Sequence, residues 1–256
     1  MEEQSKGAKH GGVLFDVDGT LVDSTYFHMI AWWQALRQHE LEVPMALIHR
    51  HIGMGGDKLL ERLLPVTCDE GVRDAVKNAH GAIFSTFWPA IRPFESARSL
   101  LRTCAESGLA VALASSAHER DLQVLRSVLD AELWIDCVTS SADAAESKPS
   151  PDILVAALEK LQLNAADVVF VGDSVWDVQA AARLGIETIG VTCGGISAAE
   201  LFESGAVEVY SGPRALLQRL DASSIGKLAH RHGAQPDPSI QGHVPSPVMP
   251  TADYEM

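Results

Sequence analysis

The hydrophobic pattern of the chain changes its period twice. Residues 13–15 (Val-Leu-Phe) form a short uninterrupted apolar run, which is typical of a strand buried on both faces. After Ser24, apolar residues recur at helical spacing as far as about residue 90, with Pro44 as one of the breaks. From Ile91 onward, segments with a helical period alternate with short apolar runs that predict strands.

The second half of the chain predicts a regular succession of secondary structure. Predicted helices cover residues 95–107, 119–129, 151–161, 175–184, 198–204 and 214–220, and predicted strands cover residues 109–114, 134–139, 168–171, 188–191 and 207–210. Such alternation is typical of a parallel sheet with helices on both faces, which binds ligands at the carboxyl ends of its strands. We therefore predict an α/β fold with a Rossmann-like three-layer α/β/α core.

The same pattern suggests a division into domains. Residues 12–23 and 91–221 are predicted to form the α/β core, and residues 24–90 a small α-helical domain inserted after the first strand. Residues 1–11 and 222–256 are predicted to be flexible tails, because the last segment has few large apolar residues and is rich in proline. Its prolines are Pro236, Pro238, Pro245, Pro247 and Pro250.

Composition and charge exclude several classes of function. A formal net charge of −14 argues against nucleic acid or an anionic membrane as a partner, since either would repel the chain. The first ten residues are polar, unlike a signal peptide, and no apolar run approaches the length of a membrane span. The cysteines lack the paired spacing of a disulfide framework or a zinc site, which predicts reduced thiols and a cytoplasmic protein. They are Cys68, Cys104, Cys137 and Cys193.

Candidate chemistry begins where the first predicted strand ends. Because side chains alternate along a strand, Asp16 and Asp18 are expected to leave its end on the same side. Two carboxylates so close together repel each other unless a cation or a shared proton lies between them. A hard divalent metal together with a proton-transfer role would suggest phosphoryl chemistry. Taken alone, the stretch Asp-Val-Asp-Gly-Thr is equally compatible with a solvated turn.

Three further polar stretches stand at predicted strand ends or in loops. Ser115 and Ser116 follow one strand, Lys148 precedes a helix, and Asp173 follows the apolar run 168–171. Taken singly, Lys148 could be a solvated loop lysine and Ser115 a helix cap. Asp173 is different, because a carboxylate directly after a buried run is costly without a partner. If the fold prediction is right, all three stretches share one edge of the sheet with Asp16.

The ordered set of these residues resembles the four motifs of the haloacid dehalogenase-like hydrolase superfamily, over about residues 12–221. The set is Asp16-x-Asp18-Gly-Thr, Ser115, Lys148 and Gly172-Asp173-Ser-x-x-Asp177. The resemblance implies a phosphatase in which Asp16 is the nucleophile that forms an aspartyl-phosphate. It also implies that Asp18 protonates the leaving oxygen and later deprotonates water. Dehalogenases of the family carry an aromatic residue at the position of Asp18, and phosphonate hydrolases a small one, so neither activity fits.

The resemblance also implies the ligands of the site. Mg²⁺ would be held by Asp16, by Asp173 and by the main-chain carbonyl of Asp18, with Asp177 nearby as a ligand or as an orienting group. The expected contacts of the phosphoryl group are Gly19, Ser115, Ser116 and Lys148. Lys148 would supply local positive charge to a chain that is strongly acidic overall.

The inserted helical segment resembles the cap of the phosphoglycolate phosphatase and β-phosphoglucomutase-like branch of this superfamily. His28 and the stretch 52–58, which includes Lys58, match places where that branch contacts its substrate, although this stretch could equally be a turn between two helices. A cap excludes water and contacts the leaving group. The expected substrate is a small phosphorylated metabolite, either phosphoglycolate-like or a sugar phosphate.

Two alternatives to a phosphatase stay open. Sugar phosphomutases of this branch have a histidine similar to His28, but their cap lysine has no secure counterpart here. Lys77 is nearby, and an ungapped comparison places His80 at the position. Hydrolysis is therefore favoured over mutase activity. A non-catalytic binding protein on the same scaffold is less favoured, because no motif residue is missing. The sequence does not distinguish a monomer from a dimer.

Overall fold

The computed structural model describes residues 9–232, and its strands form two sheets. The strands are β1 (Gly12–Phe15), β2 (Val22–Asp23), β3 (Arg92–Pro93), β4 (Ala110–Ala114), β5 (Cys137–Thr139), β6 (Val168–Gly172), β7 (Glu187–Val191) and β8 (Glu208–Tyr210). Six of them form a parallel sheet in the order β5-β4-β1-β6-β7-β8. β2 and β3 form a separate antiparallel pair. Phe15 pairs with Leu113 of β4 and Val171 of β6, so these three strands end at the same level.

Helices cover both faces of the parallel sheet. The helices after β3 are α5 (Ala97–Glu106), α6 (Glu119–Leu129), α7 (Asp152–Leu161), α8 (Val175–Ala182), α9 (Ala198–Ser204), α10 (Pro213–Gln218) and α11 (Ser224–Arg231). Val13 and Phe15 pack on one face with apolar residues of α5, α6, α10 and α11, while Leu14 packs on the other face with α7 and α8. The alternation of side chains along β1 thus serves both layers. The predicted α/β fold with a parallel sheet is confirmed.

The end of the chain differs from the prediction. Residues 222–232 were expected to belong to a flexible tail, but they contain α11, whose residues Ile225 and Leu228 are almost fully buried in the core. The Ser223 side chain accepts a hydrogen bond from the main-chain N–H of Gly226 and so caps the helix. The prediction was wrong here because the proline-rich composition of the last segment outweighed a short amphipathic period. Residues 1–8 and 233–256, which include the five prolines, lie outside the described residues.

One predicted strand is shorter than expected. The segment 134–139 was predicted to be a single strand, but Glu132–Trp134 forms a 3₁₀ turn and only Cys137–Thr139 pairs with β4. The Asp136 carboxylate accepts a hydrogen bond from the main-chain N–H of Val111 at 2.9 Å. The main-chain N–H of Asp136 also donates to the Val111 carbonyl at 2.8 Å, so Asp136 is joined to β4 through both its main chain and its side chain, just before the paired segment begins.

The segment between β2 and β3 is helical. Its helices are α1 (Thr25–Gln38), α2 (Met45–His51), α3 (Gly56–Leu63) and α4 (Glu70–Ser85). They pack around an apolar cluster of their own that includes Trp32, Ile48, Leu60 and Val76. Because the β2–β3 pair holds both ends of this segment together, the helices sit as one unit beside the carboxyl ends of the parallel strands. Among the described residues, no helix is long and apolar enough to cross a bilayer.

Candidate active site

Lys148 is the buried cation of the site. Its side chain has no solvent exposure, and its Nζ lies 2.6 Å from Asp16 Oδ1 and 2.8 Å from Asp177 Oδ1. Nζ also donates to the main-chain carbonyl of Ala114 at 3.0 Å. Burial alone would lower the pKa of Lys148, but the carboxylates of Asp16 and Asp177 outweigh burial and raise it. The ammonium group is therefore charged at neutral pH.

Three carboxylates converge beside this lysine. Asp16 follows β1, Asp173 follows the neighbouring β6, and Asp177 lies in the first turn of α8. One oxygen from each of them lies within 4.8 Å of the others, and all three residues are buried. Asp177 is held in place by a capping box, in which its Oδ2 accepts hydrogen bonds from the Ser174 main-chain N–H and hydroxyl. The cluster forms because β1 and β6 are neighbours in the sheet and α8 begins just after β6.

The cluster has the chemistry of a divalent cation site. Burial, and then the charges of neighbouring carboxylates, raise the pKa of Asp173 well above its ordinary value, and burial also raises the pKa of Asp16 despite the nearby lysine. Three carboxylates and one ammonium leave two negative charges, which a divalent ion would balance. Carboxylate oxygens are the donors that Mg²⁺ prefers. The residues present therefore fit a Mg²⁺ ion.

Two glycines leave room for the Asp173 carboxylate. A Cβ on Gly194 would lie 1.6 Å from Asp173 Oδ2, and a Cβ on Gly19 would lie 2.4 Å from the same oxygen. Gly19 also has a φ of +79°, in the left-handed region that favours glycine. The main chain of both loops thus approaches the carboxylate more closely than any other residue would allow.

Asp18 points its carboxylate toward the inserted helices. Its Oδ1 accepts a hydrogen bond from the Ser24 hydroxyl and lies 3.1 Å from His28 Nε2. Burial would raise the pKa of Asp18, but the contacts with His28 and Ser24 together outweigh burial and lower it. Asp18 is therefore an ionised acceptor next to a histidine, in an environment unlike that of Asp16.

A cavity of about 320 Å³ lies between the inserted helices and the sheet edge. Asp16, Asp18, His28, Ser115 and Ser116 are among its lining residues. The Ser115 hydroxyl accepts a hydrogen bond from the Ala117 main-chain N–H at 3.1 Å. The buried Ser116 hydroxyl has no hydrogen-bond partner within residues 9–232. Since a buried hydroxyl without a partner is costly, Ser116 is suited to binding an oxygen of a ligand.

Three residues that were predicted to contact substrate do not line the cavity. Lys148 is buried beneath it, together with the predicted metal ligands Asp173 and Asp177, and Gly19 packs against Asp173. Lys58 was predicted to bind substrate, and the structure does not support this. Its Nζ lies 3.5 Å from Glu61 and 3.7 Å from Glu146, outside the lining set. The cap stretch reaches the cavity instead through residues 52–57, which line it.

The sequence did not predict other residues of the site. Gly194 was missed, although it stands three residues after the end of the predicted strand 188–191 and so could have been assigned to the same sheet edge. Trp32 was missed as well. It lines the cavity with Lys77 and His80, which the sequence comparison named only in connection with the cap lysine of mutases. They come from α1 and α4, whose packing against each other brings them together. A helical period shows which face of each helix is apolar, but it does not show which helices are neighbours.

Comparisons with known proteins agree with this arrangement. Residues 11–185 match the family described as haloacid dehalogenase-like hydrolase. A phosphoglycolate phosphatase from Yersinia pestis is 31% identical over 188 residues, which covers 72% of this chain and 81% of the relative. The phosphoglycolate phosphatase of Escherichia coli (strain K12) is 29% identical over 208 residues, with the same coverage. The crystal structure of a hydrolase from Pseudomonas syringae has a TM-score of 0.80 at 30% identity, over 83% of this chain and 99% of that chain.

Proposed function

The chain belongs to the haloacid dehalogenase-like hydrolase family, and we propose that this phosphoric monoester hydrolase is a Mg²⁺-dependent phosphatase of small phosphorylated metabolites. The observation that carries the proposal is the buried cluster of Asp16, Asp173 and Asp177 around Lys148, at the floor of a covered cavity. A volume of about 320 Å³ suits a small substrate. Because two relatives are named phosphoglycolate phosphatase, phosphoglycolate is the first substrate to test.

In the first step, the Asp16 carboxylate attacks the phosphorus and the bond from phosphorus to the leaving oxygen breaks. The contact of Lys148 with Asp16 Oδ1 leaves Oδ2 available for the attack. Asp18 gives its proton to the leaving oxygen, which departs as an alcohol. The dianionic phosphate itself would favour the protonated form of Asp18, because a nearby negative charge raises the pKa of a carboxyl group. The product is an aspartyl-phosphate on Asp16.

In the second step, a water molecule attacks the phosphorus of the aspartyl-phosphate. Asp18, now ionised, takes a proton from this water, and the bond between phosphorus and the Asp16 oxygen breaks. Inorganic phosphate leaves and the Asp16 carboxylate is restored. Ser115 and Ser116 would hold the phosphate oxygens in both steps, and the inserted helices would exclude bulk water from the cavity.

Asp16, Asp173 and the main-chain carbonyl of Asp18 would hold the metal ion, with Asp177 as a further ligand or as the group that orients Lys148. Bound Mg²⁺ would supply positive charge that offsets the repulsion between Asp16 and the phosphate oxygens. Lys148 contributes to the same end as a fixed cation that cannot move away, since its side chain is fully buried.

The proposal is tested by phosphate release from p-nitrophenyl phosphate and from a panel of phosphorylated metabolites, with Mg²⁺ or with a chelator. We expect turnover by the wild type with Mg²⁺ and its loss in Asp16→Asn. Asp69→Asn is the matched control, because Asp69 caps α4 on the surface and asparagine caps a helix equally well. Undiminished phosphate release by Asp16→Asn would contradict the proposal.

A second candidate function is sugar phosphomutase activity. It is favoured by Lys77, which lines the cavity from α4 and could contact a second phosphate. The Lys77 ammonium, however, lies 2.7 Å from Asp74 on the same helix, so we rank hydrolysis first. Incubation of a sugar 1-phosphate with a bisphosphate activator distinguishes the two. Formation of the 6-phosphate supports a mutase, and free phosphate alone supports a phosphatase.

We also propose a cytoplasmic setting, which rests on the cysteines. Cys68, Cys104, Cys137 and Cys193 are all free thiols. Free thiols persist in a reducing compartment.

A further inference from the structure

Asp18 stands at the end of a chain of two histidines. His28 Nε2 lies 3.1 Å from Asp18 Oδ1, and the other ring nitrogen of His28, Nδ1, lies 3.2 Å from His80 Nε2. His28 belongs to α1 and His80 to α4, whereas Asp18 belongs to the loop after β1. The contacts therefore run from the inserted helices into the core, directly to the group that we assign to proton transfer.

The two contacts of His28 engage both nitrogens of its ring. Because the Asp18 carboxylate is an acceptor, His28 donates to it from Nε2, and its Nδ1 makes a hydrogen bond with His80 Nε2. Burial, and then the charges of His28 and His118, lower the pKa of His80 well below its ordinary value, so the His80 ring is neutral and its Nε2 is able to donate or to accept. In either case the contact with His80 holds the His28 ring with Nε2 directed at Asp18.

Aromatic stacking fixes both rings in this arrangement. The His80 ring stacks on Trp32 with a centroid distance of 3.9 Å and an interplanar angle of 12°. The His28 ring stacks on Phe84 with a centroid distance of 3.7 Å and an angle of 15°. Offset-stacked rings resist rotation because rotation would lose buried contact area. The histidine pair is thus pre-organised before any substrate enters.

The consequence falls on the two oxygens of Asp18. Both hydrogen bonds, from His28 and from the Ser24 hydroxyl, reach Oδ1. Within the part of the chain that the structure describes, no hydrogen bond reaches Oδ2. Since Asp18 lines the cavity, Oδ2 is the oxygen that can face a substrate and carry the transferable proton.

We propose that His80 is a positioning residue for proton transfer, which orients the ring of His28 so that His28 holds Asp18 with one oxygen free for the leaving group. This inference rests on the proposed phosphatase function, because it presupposes that Asp18 is the acid. It also gives His80 a role at the position where a comparison with mutases would place a phosphate-binding lysine. Metal-bound histidines are oriented in a similar way, by a hydrogen bond between their other ring nitrogen and a neighbouring group.

The test uses two variants of similar polarity and two substrates of similar shape. The side-chain amide of His80→Gln reaches the position of Nε2, whereas that of His80→Asn is too short to reach His28. The substrates are phenyl phosphate, whose leaving group needs a proton, and 2,4-dinitrophenyl phosphate, whose leaving group does not. The measured quantity is kcat/KM, which reports the first phosphoryl transfer.

We expect His80→Asn to lower kcat/KM for phenyl phosphate about tenfold, as part of the roughly 10²–10⁴-fold that general acid catalysis supplies. With 2,4-dinitrophenyl phosphate the loss should stay within about twofold, since no acid is needed. His80→Gln should recover most of the activity on phenyl phosphate. Equal losses on both substrates would show a merely structural role and would overturn the proposal, as would the absence of any loss.

The histidine tautomers give a readout that needs neither folding of a variant nor turnover. In ¹⁵N-labelled wild-type protein, long-range proton–nitrogen correlations should show His28 protonated at Nε2. His28 protonated only at Nδ1 would overturn the proposal. If the wild type releases phosphate from neither ester, the proposed phosphatase function fails. If the wild type turns over both esters and the His80 variants do so equally well, only the role of His80 fails.

Discussion

Replacement of Lys148 by methionine removes the only positive charge that balances the negative charge of the buried carboxylates within the described site. Methionine has a similar length and no charge, so the change tests electrostatics more than packing. In the wild type, the ammonium contacts Asp16, Asp177 and the Ala114 carbonyl at 2.6, 2.8 and 3.0 Å, and it has no exposure to solvent. Removing one partner of such a buried pair costs about 3–5 kcal/mol, because the remaining charges are left without compensation.

The expected loss can be measured by thermal unfolding. For a chain of this size, 3–5 kcal/mol corresponds to a fall in Tm on the order of 10 °C in metal-free buffer at pH 7. The fall should be smaller at pH 5, because the pKa of Asp16 is raised and protonation relieves the repulsion. Phosphate release should be lost as well, since Lys148 is a fixed cation of the site.

Lys160→Met is the matched control for this experiment. The Lys160 side chain is 42% exposed and its Nζ lies 2.7 Å from Asp143. An ion pair at the surface contributes only about 0–1 kcal/mol, so its loss should shift Tm by a few degrees at most. If Lys148→Met melts no lower than Lys160→Met and still releases phosphate, the buried cluster does not depend on its lysine, and the electrostatic argument for the site is refuted.

Three further predictions follow from the same cluster and from the end of the chain. The pKa values of Asp16 and Asp173 are raised in the folded protein, so above about pH 4 the folded metal-free protein binds more protons than the unfolded chain. Its stability therefore falls as the pH rises toward about 7, the pKa of Asp16. The increase in Tm on addition of Mg²⁺ should therefore be larger at pH 7.5 than at pH 5, and an increase that is equal at both would contradict this sign. Gly194→Ala should raise the Mg²⁺ concentration needed for half-maximal activity at least several-fold, because its Cβ would meet the Asp173 carboxylate; an unchanged Mg²⁺ titration would show that the loop can move away. Leu228→Ala should lower the free energy of unfolding, measured in urea, by about 2–5 kcal/mol, because Leu228 is buried. Lys227→Ala should lower it by less than about 0.5 kcal/mol, because Lys227 is exposed. Equal effects of the two substitutions would show that α11 does not pack as described.

Sequence periodicity identified the strands and helices of the core because these depend on near neighbours in the chain. The run of Val13, Leu14 and Phe15 is apolar on both faces, and the structure places it at the centre of a parallel sheet. Conversely, the amphipathic period of α11 is only eight residues long. The structure identifies its apolar face, because Ile225 and Leu228 pack in the core. Short helices are marginal by themselves, so composition was a poor guide there.

The candidate site divides in the same way. Asp16 and Asp18 are close in the chain, as are Asp173 and Asp177, so the sequence identified each pair. The structure brings Asp16, Asp173 and Asp177 together, whereas the Asp18 carboxylate turns toward His28. The contact of Lys148 with Asp16 spans 132 residues. Lys58 shows the converse, since a motif match near the cavity did not indicate where its side chain points.

By itself, the sequence determined an α/β chain with an inserted helical segment and a set of polar residues at the strand ends of one sheet edge. Only the tertiary structure decided that Lys148 lies buried between carboxylates, that Gly194 closes on Asp173, and that His80 reaches Asp18 through His28. The physical reason is that backbone periodicity is set by local hydrogen bonding and by the burial of one face, whereas these contacts depend on which helices and loops pack together.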